Sequence, residues 1–138
     1  MAAKDIFHET VRKALETDGW TITDDPLLLP LGERKLYVDL GAEKLLTANK
    51  EDQYIAVEVK SFVGNSIMSE LEKAVGQYTL YRQSLRIQQS NRQLYLAIPT
   101  DAYVELSTDK LISIIQEDLG MKLLVYNPTT KLIELWLP

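Results

Sequence analysis

Two acidic residues and a lysine in the first half of the chain have the types and the order that a divalent-cation site requires. Asp39 follows Val38 on one expected strand, and Glu58 and Lys60 are two residues apart on the next. If the two strands pair as a hairpin, the carboxylates of Asp39 and Glu58 converge at one end of the sheet. Carboxylates together with a main-chain carbonyl, here that of Val59, are the oxygen ligands that Mg²⁺ prefers. The sequence therefore predicts a Mg²⁺ or Mn²⁺ site on Asp39, Glu58 and Val59.

A cation held in this way would support phosphodiester chemistry. It would polarise a phosphodiester and lower the pKa of a bound water. Lys60 would orient that water or stabilise the negative charge that develops on the phosphate. The alternative interpretation is structural, since Glu58 and Lys60 on one face of a strand also form an ordinary surface ion pair that contributes little to stability.

The segment from Tyr54 to Phe62 is the strongest strand in the sequence, and its alternation sets the direction in which the acidic site faces. Successive side chains of a strand point to opposite faces of the sheet. One face of this strand is apolar and is expected to point into a core, whereas the other carries an acid and an amine. The two sets are Ile55, Val57 and Val59 on the core face, and Ala56, Glu58 and Lys60 on the other.

The elements that position the site are expected in the order α-β-β-β-α-β-α-β-β, without repeats or linkers. This order predicts an α/β fold in which a mixed sheet is flanked by helices, in one domain that spans residues 1–138. The helix after the Glu58 strand carries Gln77 and Tyr81 at i, i+4, so their side chains share one stripe. In an ordinary helix of this kind, Tyr81 is a core aromatic and Gln77 a solvated neighbour.

Periodicity and breaker residues also predict the bounds of the elements. The first helix is expected at Ala3–Asp18, and Ser66 is expected to cap the long helix. Its apolar positions are Ile67, Leu71, Ala74, Val75, Tyr78, Tyr81 and Leu85. Before the Glu58 strand we expect a loop through Pro30 and Gly32, a strand at Leu36–Leu40 with Leu36, Val38 and Leu40 on one face, and a bend at Gly41. After the long helix we expect a buried strand at Leu94–Ile98 and a helix from Ser107 or Thr108 to Leu119. The chain is expected to close with a hairpin of Leu123–Tyr126 and Leu132–Leu137.

Composition narrows the functions that the chain can have. It has 138 residues, of which 46% are hydrophobic and 25% are charged, as is usual for a globular protein. The lack of Cys and the single His exclude a disulfide scaffold, a thiolate zinc site and a His-rich metal site within one chain. No apolar run approaches the roughly 20 residues of a membrane span, so a cytoplasmic protein without membrane contact is expected. The net charge of −5 argues against tight DNA binding by the chain alone, because phosphate contacts supply much of the affinity for DNA.

The acidic residues and the long helix together resemble the PD-(D/E)xK nuclease superfamily, whose core order α-β-β-β-α-β matches the expected one. The resemblance implies a restriction-endonuclease-like core and metal-dependent DNA cleavage or nicking. The Q-x-x-x-Y spacing of Gln77 and Tyr81 is similar to the RecB-type branch, in which these residues support the acidic site. The chain departs from the pattern at Val38, where the superfamily has a proline. The catalytic residues that the resemblance implies are Asp39, Glu58, Lys60, Gln77 and Tyr81.

Other polar residues are weaker candidates. A first-helix acid binds metal in resolvase-like relatives, which makes Glu9 a further candidate ligand, although Lys13 at i+4 offers it an ordinary ion pair. His8 is expected to pack or to cap the helix rather than to act as a base. A local phosphate-binding surface is expected on basic side chains whose alternative role is a solvated helix face. These side chains are Arg12, Lys13, Lys73, Arg82 and Arg86.

A closer match covers nearly the whole chain and rests on the segments KDIFHETVRKAL, DGWTITDDP, VDLGAE, AVEVKSF and GQYxxYR. With these segments the chain resembles the XisH-like family, which contains cyanobacterial controlling factors for the excision of a DNA element that interrupts a nitrogen-fixation operon. The resemblance implies a role in developmentally controlled, site-specific DNA excision, beside a separate recombinase and a XisI-like companion factor.

Two functions from different classes stay open at this point. One is a metal-dependent DNA endonuclease or nickase, which the complete set of five site residues favours. The other is a non-catalytic accessory protein on a nuclease-like scaffold that binds the companion, DNA or both, which the acidic net charge favours. A third and less favoured reading is the toxin of a toxin–antitoxin-like pair with the companion. Each is compatible with a homodimer.

Overall fold

The computed structural model describes residues 5–44, 52–64 and 66–138. In chain order these residues form α1 (His8–Thr17), β1 (Thr21–Asp24), β2 (Leu27–Leu31), β3 (Arg34–Val38), β4 (Leu40–Lys44), β5 (Gln53–Val59), α2 (Ile67–Ile87), β6 (Gln93–Pro99), α3 (Thr100–Thr108), α4 (Leu111–Ser113) with a π-helical turn (Ile114–Asp118), β7 (Lys122–Asn127) and β8 (Leu132–Leu137).

A mixed six-stranded sheet with the strand order β1-β4-β5-β6-β7-β8 forms the centre of the fold. β5, β6 and β7 run parallel, and the other neighbours are antiparallel. A hydrophobic core around Val11 and Leu15 of α1 covers one face, and a second core around Tyr78 of α2 and Leu106 of α3 covers the other. The expected α/β fold with helices flanking a mixed sheet is confirmed. The six strands of this sheet and the helices between them also follow the expected order.

β5 lies in the middle of the sheet and is covered on both faces. Ile55, Val57 and Val59 belong to the core under α1, whereas Ala56 belongs to the core under α2. The alternation expected from the sequence is therefore confirmed. Glu58 lies on the α2 face and is only 5% exposed, so its carboxylate is buried rather than solvated.

Two elements are shorter than their sequence pattern predicted. α1 begins at His8, because the Asp5 carboxylate and carbonyl accept the N–H groups of Phe7 and His8 in a turn ahead of the helix. The start expected at Ala3 lies outside the described residues. β5 ends at Val59 rather than near Phe62. Phe62 has φ +55°, a left-handed conformation that a strand does not contain.

The expected loop through Pro30 and Gly32 was wrong, because this segment forms an antiparallel hairpin of β2 and β3. Pro30 lies within β2 and is tolerated there because this two-stranded sheet has no central strand. The continuous strand expected at Leu36–Leu40 was also wrong. The chain bends at Asp39, so that Leu36 packs against the α2 core whereas Leu40 lies in the α1 core.

Gly41 lies inside β4 rather than at a bend. A Cβ at this position would come within 3.1 Å of the Arg92 guanidinium and of the Asp24 carboxylate. Arg92 also donates to the carbonyl of Ile55, so its guanidinium lies across the ends of β1, β4 and β5. The glycine is therefore explained by the close approach of an arginine.

The helix that follows β6 was predicted with the wrong start. α3 begins at Thr100, directly after Pro99, and ends at Thr108. Ser107 and Thr108 lie in its last turn, where their hydroxyls donate to carbonyls one turn back instead of capping a new helix. Lys110 then adopts φ +60° and separates α3 from α4.

The long helix and the closing strands agree with the sequence pattern. Ser66 caps α2 by accepting the N–H of Ser69 at 3.2 Å. Five of the seven expected apolar positions are buried and the other two are partly buried. β6 lies between β5 and β7 as an interior strand, and β7 pairs with β8 as a hairpin. In the parts of the chain that the structure describes, no helix has the length and apolarity to cross a membrane.

Candidate active site

Asp39 and Glu58 meet at the end of the β4–β5 pair. β4 and β5 are antiparallel with Leu40 opposite Val57, and continuing this register places Asp39 opposite Glu58. Each carboxylate accepts a main-chain N–H from the other strand: Asp39 Oδ2 from Val59 at 2.7 Å, and Glu58 Oε1 from Asp39 at 3.3 Å. The hairpin expected from the sequence therefore brings the two acids together on one side of the sheet.

The Glu58 carboxylate is held in an unfavourable environment for a negative charge. Its pKa rises from the usual 4.5 to about 8, first because burial removes water from the ionised form and then because the charge of Asp39 repels it. The Lys60 amine lies 3.6 Å from Glu58 Oε2 and acts in the opposite direction. A second positive charge, such as a bound cation, would relieve this repulsion.

The main chain around Lys60 is fixed by three other elements. Its N–H donates to the carbonyl of Ala97 on β6, and its carbonyl accepts the Tyr126 hydroxyl of β7 at 2.9 Å. The next N–H, of Ser61, donates to Asp5 Oδ2 ahead of α1. The Lys60 side chain is thus positioned beside Glu58 by a rigid backbone. Val59, whose carbonyl the sequence predicted as a main-chain ligand, lies beside the acids and donates its N–H to Asp39 Oδ2.

α2 brings Tyr81 to the acidic pair. The Tyr81 hydroxyl hydrogen-bonds to Glu58, and burial together with this carboxylate raises the pKa of the phenol. Tyr81 is therefore a neutral donor to the acid. Gln77 lies one turn earlier on α2 and is half-buried. Its Oε1 is buried without a hydrogen-bond partner among the described residues.

A buried histidine on the α1 side of the site was not identified by the sequence as a functional residue. His8 Nε2 lies 2.7 Å from Asp25 Oδ1, and Arg12 forms an ion pair with the other oxygen of Asp25. His8 Nδ1 is 3.9 Å from Asp39 Oδ1, and this buried nitrogen has no hydrogen-bond partner in the described residues. The signal that could have identified it is the only histidine of the chain, one turn from Arg12 on the helix that precedes the acidic D-D-P segment.

Glu9, the first-helix acid considered as a ligand, is exposed and lies next to His8 and Asp25. One ligand atom from each of the three is within 4.8 Å of the others. It is His8, however, whose side chain reaches Asp39. The five expected site residues thus divide into a directly connected set of Asp39, Glu58, Lys60 and Tyr81, with Gln77 beside them on α2.

The residues present fit a divalent cation. Two carboxylates lie side by side at the end of a strand. His8 Nδ1 and Gln77 Oε1, on the helices that pack on either face, are buried and have no hydrogen-bond partner within the described part of the chain. Oxygen ligands suit Mg²⁺ and Mn²⁺, and an imidazole nitrogen suits Mn²⁺ better than Mg²⁺. Asp25 fixes the imidazole from its other nitrogen, as second-sphere carboxylates do for metal-bound histidines.

The basic side chains expected to bind phosphate are only partly available for it. Arg12 is engaged by Asp25. Arg82 donates to the carbonyls of Leu119 and Gly120. Lys13, Lys73 and Arg86 are exposed.

The fold and the site define a mixed α/β protein in which a buried acid, a partly buried acid and a lysine meet at the end of its central strand. The chain belongs to the XisH family, whose sequence model, described as XisH protein, matches residues 1–134. The chain matches no curated protein.

Two crystal structures are similar to this chain over almost its whole length. An XisH family protein from Nostoc punctiforme PCC 73102 is 40% identical, with a TM-score of 0.85, and the match covers 97% of this chain and 100% of that one. A fdxN element excision controlling factor protein from Anabaena variabilis is also 40% identical, with a TM-score of 0.84, and the match covers 98% and 100% of the two chains. The resemblance to the XisH family seen in the sequence is confirmed.

Proposed function

We propose that this chain is a metal-dependent DNA endonuclease or nickase that acts in the controlled excision of a DNA element. The observation that carries the proposal is the pair of carboxylates at the end of β4 and β5, each bonded to the main chain of the other strand, with Lys60 3.6 Å from Glu58. A purely structural ion pair between Glu58 and Lys60 does not need a second carboxylate, and the charge of Asp39 destabilises the ionised form of Glu58. The excision role is supported by the similar protein named as a fdxN element excision controlling factor.

The chain's residues have separate roles in the proposed reaction. Asp39, Glu58 and the Val59 carbonyl would hold Mg²⁺ or Mn²⁺, with His8 as an additional ligand on the α1 side. The cation would supply Lewis acidity and a water of lowered pKa. Lys60 orients the attacking water or stabilises charge on the phosphate. Tyr81 holds Glu58 in place through its hydroxyl.

The charge of the chain favours action together with partners. A net charge of −5 predicts weak and strongly salt-dependent DNA binding by the isolated protein. We therefore include a XisI-like companion factor and a site-specific recombinase in the proposal, with the companion tightening the association with DNA. Tight binding by the pure protein at about 0.2 M salt would contradict this part, because counterion release predicts a steep loss of affinity there.

The test is cleavage of supercoiled and branched DNA by the wild-type protein with Mg²⁺, with Mn²⁺ and with a chelator. Cleavage is expected only with a cation, and Asp39→Asn and Glu58→Gln are expected to abolish it because each removes a ligand. Lys60→Ala is expected to slow cleavage while cation binding, followed as a thermal shift, is retained. Glu16→Gln, which changes an exposed acid on α1, is the matched control. All reactions are run with and without the companion.

A non-catalytic accessory role is the second candidate, and one feature near the site favours it. A cavity of about 410 Å³ is lined by Ser61 and Phe62, which follow Lys60 in the chain, and by the first turns of α3 with Asp101 and Glu105. The negative charges of Asp101 and Glu105 repel the phosphate backbone of DNA, whereas they do not exclude a protein partner. Identical DNA cleavage by the wild type and Lys60→Ala, with no dependence on the cation, would remove the enzyme and leave this role.

A further inference from the structure

The hairpin of β2 and β3 lies outside the main sheet and has one open face. Its inner face packs on α2, with Leu29 and Val38 buried. The Ser84 hydroxyl of α2 donates to the Pro30 carbonyl, so the ribbon is fixed along the helix. Packing on α2 therefore explains the apolar side chains of the inner face, but it does not explain the side chains of the outer face.

The outer face combines exposed apolar side chains with cations. Leu28 and Tyr37 form a cross-strand pair and are each 44% exposed. Pro30 lies opposite Lys35 in the next pair on this face, so Lys35 is the cation of the outer face. Arg34 pairs with Leu31 at the turn, where alternation directs it to the other face. Arg34 and Lys35 are both exposed, and within residues 5–44, 52–64 and 66–138 neither has an ion-pair partner.

The helix that supports the hairpin also carries exposed cations. The sequence from Lys73 to Thr100 has no Asp or Glu, although the chain as a whole has 20 acidic residues against 15 basic ones. Lys73 and Arg86 are exposed on α2 within this stretch. The acid nearest to Arg34 in the sequence is Glu33, at the hairpin turn. The exposed cations of the hairpin and of α2 are thus complementary to a phosphate backbone.

The hairpin is also joined directly to the candidate active site. β3 ends at Val38, one residue before Asp39. Lys35 is four residues from Asp39, a distance of about 13 Å along an extended strand at roughly 3.3 Å per residue.

We propose that the outer face of the β2–β3 hairpin and its turn bind the backbone of duplex DNA beside the phosphodiester that Asp39 and Glu58 would act on. Lys35 contacts a phosphate from the outer face, Arg34 contacts one from the turn, and Tyr37 packs on the adjacent sugars. The choice of DNA as the ligand rests on the function proposed above. The contact itself is measured independently of cleavage.

The experiment measures the binding of a fluorescent duplex by anisotropy across a salt series, in a chelator so that no cleavage occurs. Arg34→Ala with Lys35→Ala is compared with the wild type and with Lys110→Asn and Lys131→Asn combined. Both control lysines are exposed, have φ near +60° that Asn tolerates, and remove the same charge elsewhere. The hairpin variant is expected to lose about 1.8 from the slope of log K against log salt and at least about tenfold in affinity near 0.1 M salt. Tyr37→Ala is expected to weaken binding without changing the slope.

Several results would overturn the proposal. These are a hairpin variant with the wild-type slope, a control that loses as much affinity, or no measurable binding by the wild type at about 0.02 M salt, where counterion release favours binding most. A change of oligomeric state in light scattering, with DNA binding unchanged, would assign the face to protein contacts instead. If the hairpin binds DNA in a salt-dependent way but the protein does not cleave DNA, only the proposed function is contradicted. If the hairpin substitutions leave both cleavage and DNA binding unchanged, only the inference about the hairpin is contradicted.

Discussion

Replacement of Glu58 by Gln tests whether repulsion between the two acids destabilises the folded protein and whether a bound cation removes this effect. The substitution keeps the size of the side chain and removes its charge. In the metal-free folded protein the pKa of Glu58 is about 8, against 4.5 without the fold, so the folded form binds the proton more tightly than the unfolded form. The contribution of Glu58 to the free energy of unfolding is therefore fully present below pH 4.5 and is lost as the pH rises toward 8.

The size of the effect follows from the pKa difference. Each unit of difference between the folded and unfolded pKa is worth about 1.4 kcal/mol, so ionisation of Glu58 costs a few kcal/mol more in the folded state than in the unfolded state. Between pH 5.5 and pH 8 the wild type is expected to lose about 3 kcal/mol of unfolding free energy that the Gln variant retains. In a chain of this size about 3 kcal/mol corresponds to roughly 10 °C in Tm.

The assay is urea unfolding and thermal melting in a chelator at both pH values, repeated at pH 8 with Mg²⁺ or Mn²⁺. Glu16→Gln on the exposed face of α1 is the control and is expected to follow the wild type. The cation is expected to restore the stability of the wild type at pH 8 and to leave Glu58→Gln unchanged, because the variant has lost a charged ligand. Parallel pH profiles for the wild type and Glu58→Gln would refute the reasoning.

Three further substitutions test other parts of the site and core. Lys60→Ala is expected to lower stability at pH 8 by about 1 kcal/mol, because the amine favours the ionised form of Glu58; a variant as stable as the wild type in urea would contradict this. His8→Gln is expected to reduce the thermal shift with Mn²⁺ more than the shift with Mg²⁺, and equal reductions would exclude His8 as a ligand near Asp39. Tyr78→Phe removes a buried hydroxyl with two main-chain partners and is expected to cost about 2 kcal/mol in urea unfolding without changing cleavage; a neutral result would contradict the role of that hydroxyl.

The acidic pair could be predicted from the sequence because it depends on local geometry. Asp39 directly precedes β4 and Glu58 lies on β5, and these strands are neighbours both in the chain and in the sheet, so alternation and a hairpin are sufficient to bring the two acids together. Helical periodicity predicts that Tyr81 lies on the buried face of α2, whereas its place beside the acids was implied by the family resemblance. The buried contact between His8 and Asp25 joins residues 17 positions apart through tertiary packing, and no periodicity reports it.

The errors in the fold have identifiable physical causes. The run Leu27–Leu31 has no alternation, and Pro30 within it argues for a loop, so only its pairing with β3 reveals a strand. Gly41 resembled a bend because the arginine that it accommodates comes from residue 92, distant in the sequence. At Thr108 the capping hydroxyl of a new helix and the last turn of an existing helix have the same sequence signal.

The position of Asp39 as the single residue between β3 and β4 limits the lengths that this segment can have. An insertion or deletion here would shift one strand by one residue and turn its buried side chains toward solvent. The turn at Gly32 and Glu33 is under no such limit, because both residues are exposed and a longer turn leaves the pairing of β2 and β3 in place. Length differences among XisH proteins are therefore expected at the hairpin turn, whereas the spacing from Val38 to Leu40 is expected to be constant.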